Sequence, residues 1–125
     1  MLKQRILSIV LVLTLIFSSA GAVQTAQDGM RGVWVSTIYN IDYPSAQGLS
    51  VDALKSEADT VLDNIAAMGL NTVFLQVRPS ADALYPSKIF PWSRYISGTV
   101  GQTPDGDFDV LAYWVEGRTC KKTVF

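Results

Sequence analysis

The stretch NTVFLQVRP, residues 71–79, decides the fold. Its Val and Phe content marks a strand, and Pro79, with no N–H to give a ladder, ends it. Side chains alternate across a strand, so Val73, Leu75 and Val77 share one face, and Thr72, Phe74, Gln76 and Arg78 share the other. The first face is apolar throughout. The second turns polar towards its C-terminal end.

Upstream, Gly69 stands where a helix should stop, because glycine takes the left-handed conformation at low cost. Before it, Val51, Leu54, Ala58, Val61, Leu62, Ile65 and Met68 recur at spacings of three and four, which makes one apolar helix face. Ser50 occupies the N-cap position. Further back, IYNIDYPSAQGL (38–49) has the Asn, Asp, Pro and Gly of a loop, and GVWVST (32–37) is a short strand with Val33 and Val35 alternating with Trp34 and Ser36. A helix as the crossover predicts parallel strands with a right-handed connection.

A sheet covered by helices on both sides would be apolar on both faces near its centre. A face that turns polar suits instead an α/β barrel of the (β/α)8 TIM type, in which one face packs on the outer helices and the other opens into the mouth at the strand C-termini. Gln76 and Arg78 are then expected to look into that mouth, with Trp34 and Ser36 on the equivalent face of the first strand. The loops 38–49 and 79–108 both leave from this end, where barrel enzymes gather their sites.

Between Ser80 and Phe108 neither strand nor helix periodicity is present, and Gly, Pro and Ser recur. A loop so long is functional or disordered, and its aromatics Tyr85, Phe90, Trp92 and Tyr95 argue for order. Asp109 is placed to cap a last helix beginning VLAYWVEG. Asp105, Asp107 and Asp109 with Glu116 copy the outer positions of a calcium loop, but Val110 stands where that loop needs Gly and LAYWV is helical in character. An acidic turn with a helix cap is expected, and no metal.

The chain begins with MLKQR, continues with the twelve apolar residues ILSIVLVLTLIF and then reads SSAGA, the three parts of a secretory signal peptide with cleavage expected after Ala22. Twelve residues fall short of the roughly 20 that span a bilayer, so no stable membrane anchor is expected after cleavage. Residues 23–30 read as a flexible lead-in. Of ten basic residues the leader removes Lys3 and Arg5, leaving eight against eleven acids, a balance that does not suit nucleic acid. Cys120 is the single cysteine and histidine is absent, which excludes an internal disulfide and argues against zinc or Ser-His and Cys-His chemistry. No cofactor is implied. Any chemistry must rest on carboxylates.

Aromatic faces with planar polar groups suit a sugar, whose ring has an apolar C–H face and a hydroxyl rim. Tyr39, Tyr85 and Trp92 could offer the faces, and Gln76, Arg78, Asn40 and Asp82 the rim contacts. Each has a structural alternative: an ion pair or strand-end cap for Arg78, a turn before Ala83 for Asp82, and the core for Trp92 and Trp34. Asp42, just before Tyr43 and Pro44, leans towards turn chemistry.

Three segments, RGVWVSTIYNIDYPS (31–45), GLNTVFLQVRPSADALYPS (69–87) and PWSRYISGTVGQTP (91–104), together resemble the start of the glycosyl-hydrolase-like 10 family. The resemblance extends over residues 31–116 and implies a (β/α)8 barrel in exported bacterial proteins, with glycosidase activity on cell-wall, peptidoglycan-type glycan. By position it implies Gln76, Arg78, Asp82 and Tyr85 as lining the sugar-binding mouth.

Such a barrel takes about 200 to 250 residues. The 103 residues that follow Ala22 supply two strand–helix units, and GRTCKKTVF (117–125) departs from the family pattern. The expectation is therefore a partial barrel domain, residues 31–116, with a discordant tail. Glycoside hydrolysis needs two flanking carboxylates, which related barrels carry on later strands, so this chain is expected to be inactive by itself. The alternatives are a non-catalytic glycan-binding module and a small exported structural domain.

Overall fold

The structure, a computed structural model, describes residues 29–121. Residues 1–28, which include the expected export leader and its expected cleavage after Ala22, and residues 122–125 lie outside the described residues. The elements in order are β1 (Gly32–Val35), α1 (Val51–Ala67), β2 (Thr72–Leu75), the short α2 (Arg94–Ser97) and α3 (Val110–Lys121). This is an α/β arrangement. The strands pair in parallel, with Gly32 opposite Thr72 and Val35 opposite Leu75.

Helix α1 starts where Ser50 accepts a hydrogen bond from the Ala53 N–H at 3.3 Å, and past Met68 the chain turns through Gly69 at φ +71°. Arg31 fastens the start of β1 to this turn, its Nε donating to the Gly69 carbonyl at 2.9 Å. Leu54, Ala58, Leu62 and Ile65 form the buried stripe and pack under Val35 and Val73. Burying one such Leu contributes about 1.5–3 kcal/mol. Met68, expected on that stripe, is exposed, because the helix has ended one residue earlier.

Helix α3 packs on α1. Asp109 caps it, accepting from the Ala112 N–H at 3.0 Å, and the helix continues through Gly117 to Lys121, beyond the VLAYWVEG segment in which its sequence signal lies. Gly117 permits the close approach: a Cβ there would stand 2.9 Å from Leu62 Cδ1. Trp114 is fully buried and meets the Tyr43 ring edge-on at 5.0 Å. Tyr43 donates to the Leu54 carbonyl at 3.1 Å, and burial, with the nearby Glu57 charge, pushes its phenol well above the usual range.

Both strands are shorter than their sequence signals, since the ladder stops at Val35 and Leu75. The opposite face of the sheet carries Trp34 beside Phe74, 61% and 43% exposed. An apolar groove of about 450 Å³ follows the β2 edge past Leu75, Val77, Leu111 and Val115. Another, about 350 Å³, follows the β1 edge past Val33, Ile41 and Met68. Among the described residues nothing pairs with either outer edge. Among those residues no helix is long and apolar enough to cross a membrane.

Candidate functional site

Beyond Val35 and Leu75 the chain exchanges a ladder for side-chain hydrogen bonds. Gln76 Oε1 accepts from the Thr37 N–H at 2.9 Å, the Ile38 N–H at 3.0 Å and Ser36 Oγ at 3.1 Å. Thr37 Oγ1 donates to the Gln76 carbonyl at 2.6 Å. Asp42 closes the same turn, accepting from the Ser36 N–H at 2.7 Å, so it is the turn former its sequence context suggests. The first loop is thereby held at the C-terminal end of the sheet.

That loop turns sharply, with Tyr39 and Asn40 both at φ +54°. Left-handed backbone costs a non-glycine residue roughly 1–2 kcal/mol and persists where surrounding contacts hold it. Asn40 supplies such contacts by donating to the carbonyls of Pro44 at 2.9 Å and Tyr95 at 2.8 Å. Its amide thus ties the first loop to the second, and is occupied in doing so.

The second loop, aperiodic in sequence, is built from local closures. Ala83 and Trp92 form a parallel bridge, the Ala83 N–H donating to Pro91 and the Ser93 N–H to Ala83, both at 2.9 Å. Ser93 Oγ accepts from the Tyr95 N–H at 3.3 Å and starts α2, which Gly98 ends at φ +87°. The Gly48 N–H donates to the Ile96 carbonyl at 2.7 Å, a second tie between the loops.

Between the two loops lies a cleft of about 340 Å³ lined by Tyr39, Gln47, Ser80, Arg94 and Tyr95. Tyr95 is buried and forms its floor, and Tyr39, 76% exposed, stands over it with the two rings edge-to-face at 5.8 Å. Apolar ring faces beside an amide, a hydroxyl and a guanidinium can receive a polyol, the faces taking C–H groups and the polar tips taking hydroxyls. No carboxylate is among the lining residues.

Of the residues singled out by sequence, Tyr39 lines this cleft and Gln76, Arg78, Asp82, Tyr85 and Trp92 do not. Gln76 has its acceptor oxygen filled by the first loop. Arg78 is exposed, its guanidinium lying over the Phe90 ring at 3.5 Å. Asp82 is buried and accepts from the Ser80 N–H at 2.9 Å, while Tyr85 is half-buried in the same loop. Trp92 sits in the hydrophobic core, leaving no open face. Gln47, Ser80, Arg94 and Tyr95 were not signalled as lining a site. The one cue for Arg94 is its place directly after Ser93, an N-cap residue inside an aromatic loop.

The chain matches the family model described as Glycosyl hydrolase-like 10 over residues 29–124. It is 45% identical over 87 residues to the protein named Glycosyl hydrolase YngK of Bacillus subtilis (strain 168), a match covering 70% of this chain and 17% of that protein. It is 36% identical over 91 residues to Glycosyl hydrolase DigH of Escherichia coli (strain K12), covering 67% of this chain and 21% of that one. The chain therefore spans about a fifth of the length of the curated relatives it matches. With the match running across its strands, both loops and the last helix, the chain belongs to the glycosyl hydrolase-like 10 family.

Proposed function

We propose that this chain provides one wall of the glycan-binding mouth of an exported glycoside hydrolase that acts on cell-wall, peptidoglycan-type glycan. The single observation that carries this reading is the Tyr39–Tyr95 cleft at the C-terminal end of two parallel strands, where barrel enzymes build their sites. In this reading β1, α1, β2 and α3 belong to the first units of a (β/α)8 barrel. The apolar grooves beside both sheet edges support it, because each offers a place for a further strand.

The wall binds and does not cleave. Hydrolysis of a glycosidic bond takes an acid and a second carboxylate on either side of it, and the cleft lining contains neither. In this reading the cleft between the two loops contributes binding of wall glycan and not its turnover.

Calorimetric titration with soluble wall-glycan oligosaccharides, with reducing ends assayed in parallel, tests this. Saturable binding without new reducing ends is expected, and Tyr39→Ala should weaken it about tenfold, or about 1.4 kcal/mol. Absence of binding would remove the site assignment, and release of reducing ends would remove the division between binding and cleavage. For export, the mature protein in the medium or envelope should begin at Val23 on N-terminal sequencing.

A further inference from the structure

We propose, resting on the glycan-binding reading of the cleft, that Asn40 is its positioning residue: the side-chain amide touches no saccharide and sets affinity by holding the Tyr39 ring over Tyr95.

Tyr39 is 76% exposed, so packing does not fix where its ring stands. Its backbone is held instead, at φ +54°, in the left-handed region that a non-glycine residue keeps only under outside constraint. The constraint comes from the next residue. Asn40, half-buried and also at φ +54°, donates from Nδ2 to the Pro44 carbonyl at 2.9 Å and to the Tyr95 carbonyl at 2.8 Å. The first bond closes the turn of the first loop. The second reaches the main chain of the residue whose ring forms the cleft floor. One amide thereby fixes the upper ring against the lower one, edge-to-face at 5.8 Å.

Asparagine meets both demands of this place. Glycine would accept the backbone angle but donates nothing. Aspartate would accept the angle but turn acceptors towards two carbonyls, and glutamine has the donors without asparagine's tolerance of the left-handed region. Asn40 is not among the residues lining the cleft, and both its donors are used within the protein, so it acts through Tyr39.

Asn40 is not what keeps the two loops together. The Gly48 N–H donates to the Ile96 carbonyl at 2.7 Å, a main-chain tie independent of the Asn40 side chain, and Gln76 clamps the root of the first loop through Thr37 and Ile38. Removing the Asn40 amide therefore releases the Tyr39 ring and leaves the scaffold standing. A released ring has to be ordered when the saccharide arrives, and that ordering weakens the complex.

Asn40→Gly separates the two roles, since it keeps the backbone angle and deletes the donors. In the 125-residue chain, titration with soluble wall-glycan oligosaccharides should show about tenfold weaker binding than the parent. Nuclear Overhauser contacts between the Tyr39 and Tyr95 rings should be lost in the ligand-free protein, while the urea midpoint stays close to the parent's. Asn40→Asp, of the same size with acceptors in place of donors, should give the same pattern. Adding Asn40→Gly to Tyr39→Ala should weaken binding little beyond Tyr39→Ala alone, because nothing is left to position. Parent-like affinity in both variants, or ring contacts that persist, would overturn the role of Asn40 and leave the glycan site standing. Losses that multiply to about a hundredfold in the double variant would make Asn40 an independent saccharide contact and overturn it likewise. Loss of cooperative unfolding in both variants would make Asn40 a scaffold residue, again against the proposal. Failure of the parent chain to bind would overturn this role and the glycan-binding reading together.

Discussion

Replacing Gln76 by alanine removes one oxygen that accepts three hydrogen bonds from the first loop, at 2.9, 3.0 and 3.1 Å. Thr37 is fully buried, so its N–H cannot find water, and an unsatisfied buried donor costs about 1–3 kcal/mol. Ile38 is half-buried and its N–H adds about 1 kcal/mol, for a total of roughly 3 kcal/mol. Gln76→Glu keeps an acceptor in the same place and should cost less than about 1 kcal/mol at neutral pH. The introduced carboxyl would be held ionised by its donors, with a folded pKa below the unfolded value of about 4.3. Its stabilisation would be present above that value and lost as pH falls through the folded pKa. Urea unfolding followed by fluorescence of the buried Trp92 and Trp114 measures these differences. An alanine variant as stable as the parent, or an equal loss for both substitutions at neutral pH, would refute the role of Gln76 as the clamp between the strand ends.

At the α1–α3 contact, Gly117→Val should lower stability by about 2 kcal/mol, because its Cβ would meet Leu62 Cδ1 at 2.9 Å. Adding Leu62→Ala should return part of that loss, read as coupling in a double-mutant cycle of urea midpoints. Ser50→Ala should cost about 1 kcal/mol through loss of the cap on Ala53, seen as a lower thermal midpoint and helix signal. Tyr113 donates to Asp59 Oδ2 at 2.9 Å; burial, then this bond and the Asp59 charge, raise its pKa above 10.0. A raised folded pKa gives stabilisation that is complete below the unfolded value and lost as pH rises through the folded one. Stability should therefore fall at alkaline pH, with less of a fall in Tyr113→Phe, and tyrosinate absorbance should show Tyr113 and Tyr43 titrating late.

Much of the scaffold was legible because its signals are local. The three-and-four spacing that ends in the buried Leu54, Ala58, Leu62 and Ile65, the Ser50 cap and the turn at Gly69 each depend on a few neighbouring residues. Parallel pairing followed from the helical crossover. The site was less legible because alternation was extended past the point where the strand stops. β2 ends at Leu75; the Gln76 N–H still donates to the Val35 carbonyl at 2.9 Å, but its side-chain acceptor meets the backbone of a loop 38 and 39 residues away. Asn40 is similar, since its amide binds Tyr95 across 55 residues. Trp92 went to the core because the Ala83 bridge seats its backbone beneath the loop, a pairing with no periodic trace in sequence. Arg94 acquires its place from α2, a helix of four residues, too short to leave a periodic pattern.

The central claim is that the two loops after β1 and β2 form a glycan-binding wall. Amide and side-chain chemical shifts of the isotopically labelled chain, followed while soluble wall-glycan oligosaccharides are added, test it most directly. Saturable changes concentrated on Tyr39, Gln47, Ser80, Arg94 and Tyr95 are expected, with the buried α1–α3 contact unmoved. Shifts that stay constant throughout the titration, or that move only along the apolar grooves beside Val115 and Met68, would contradict it.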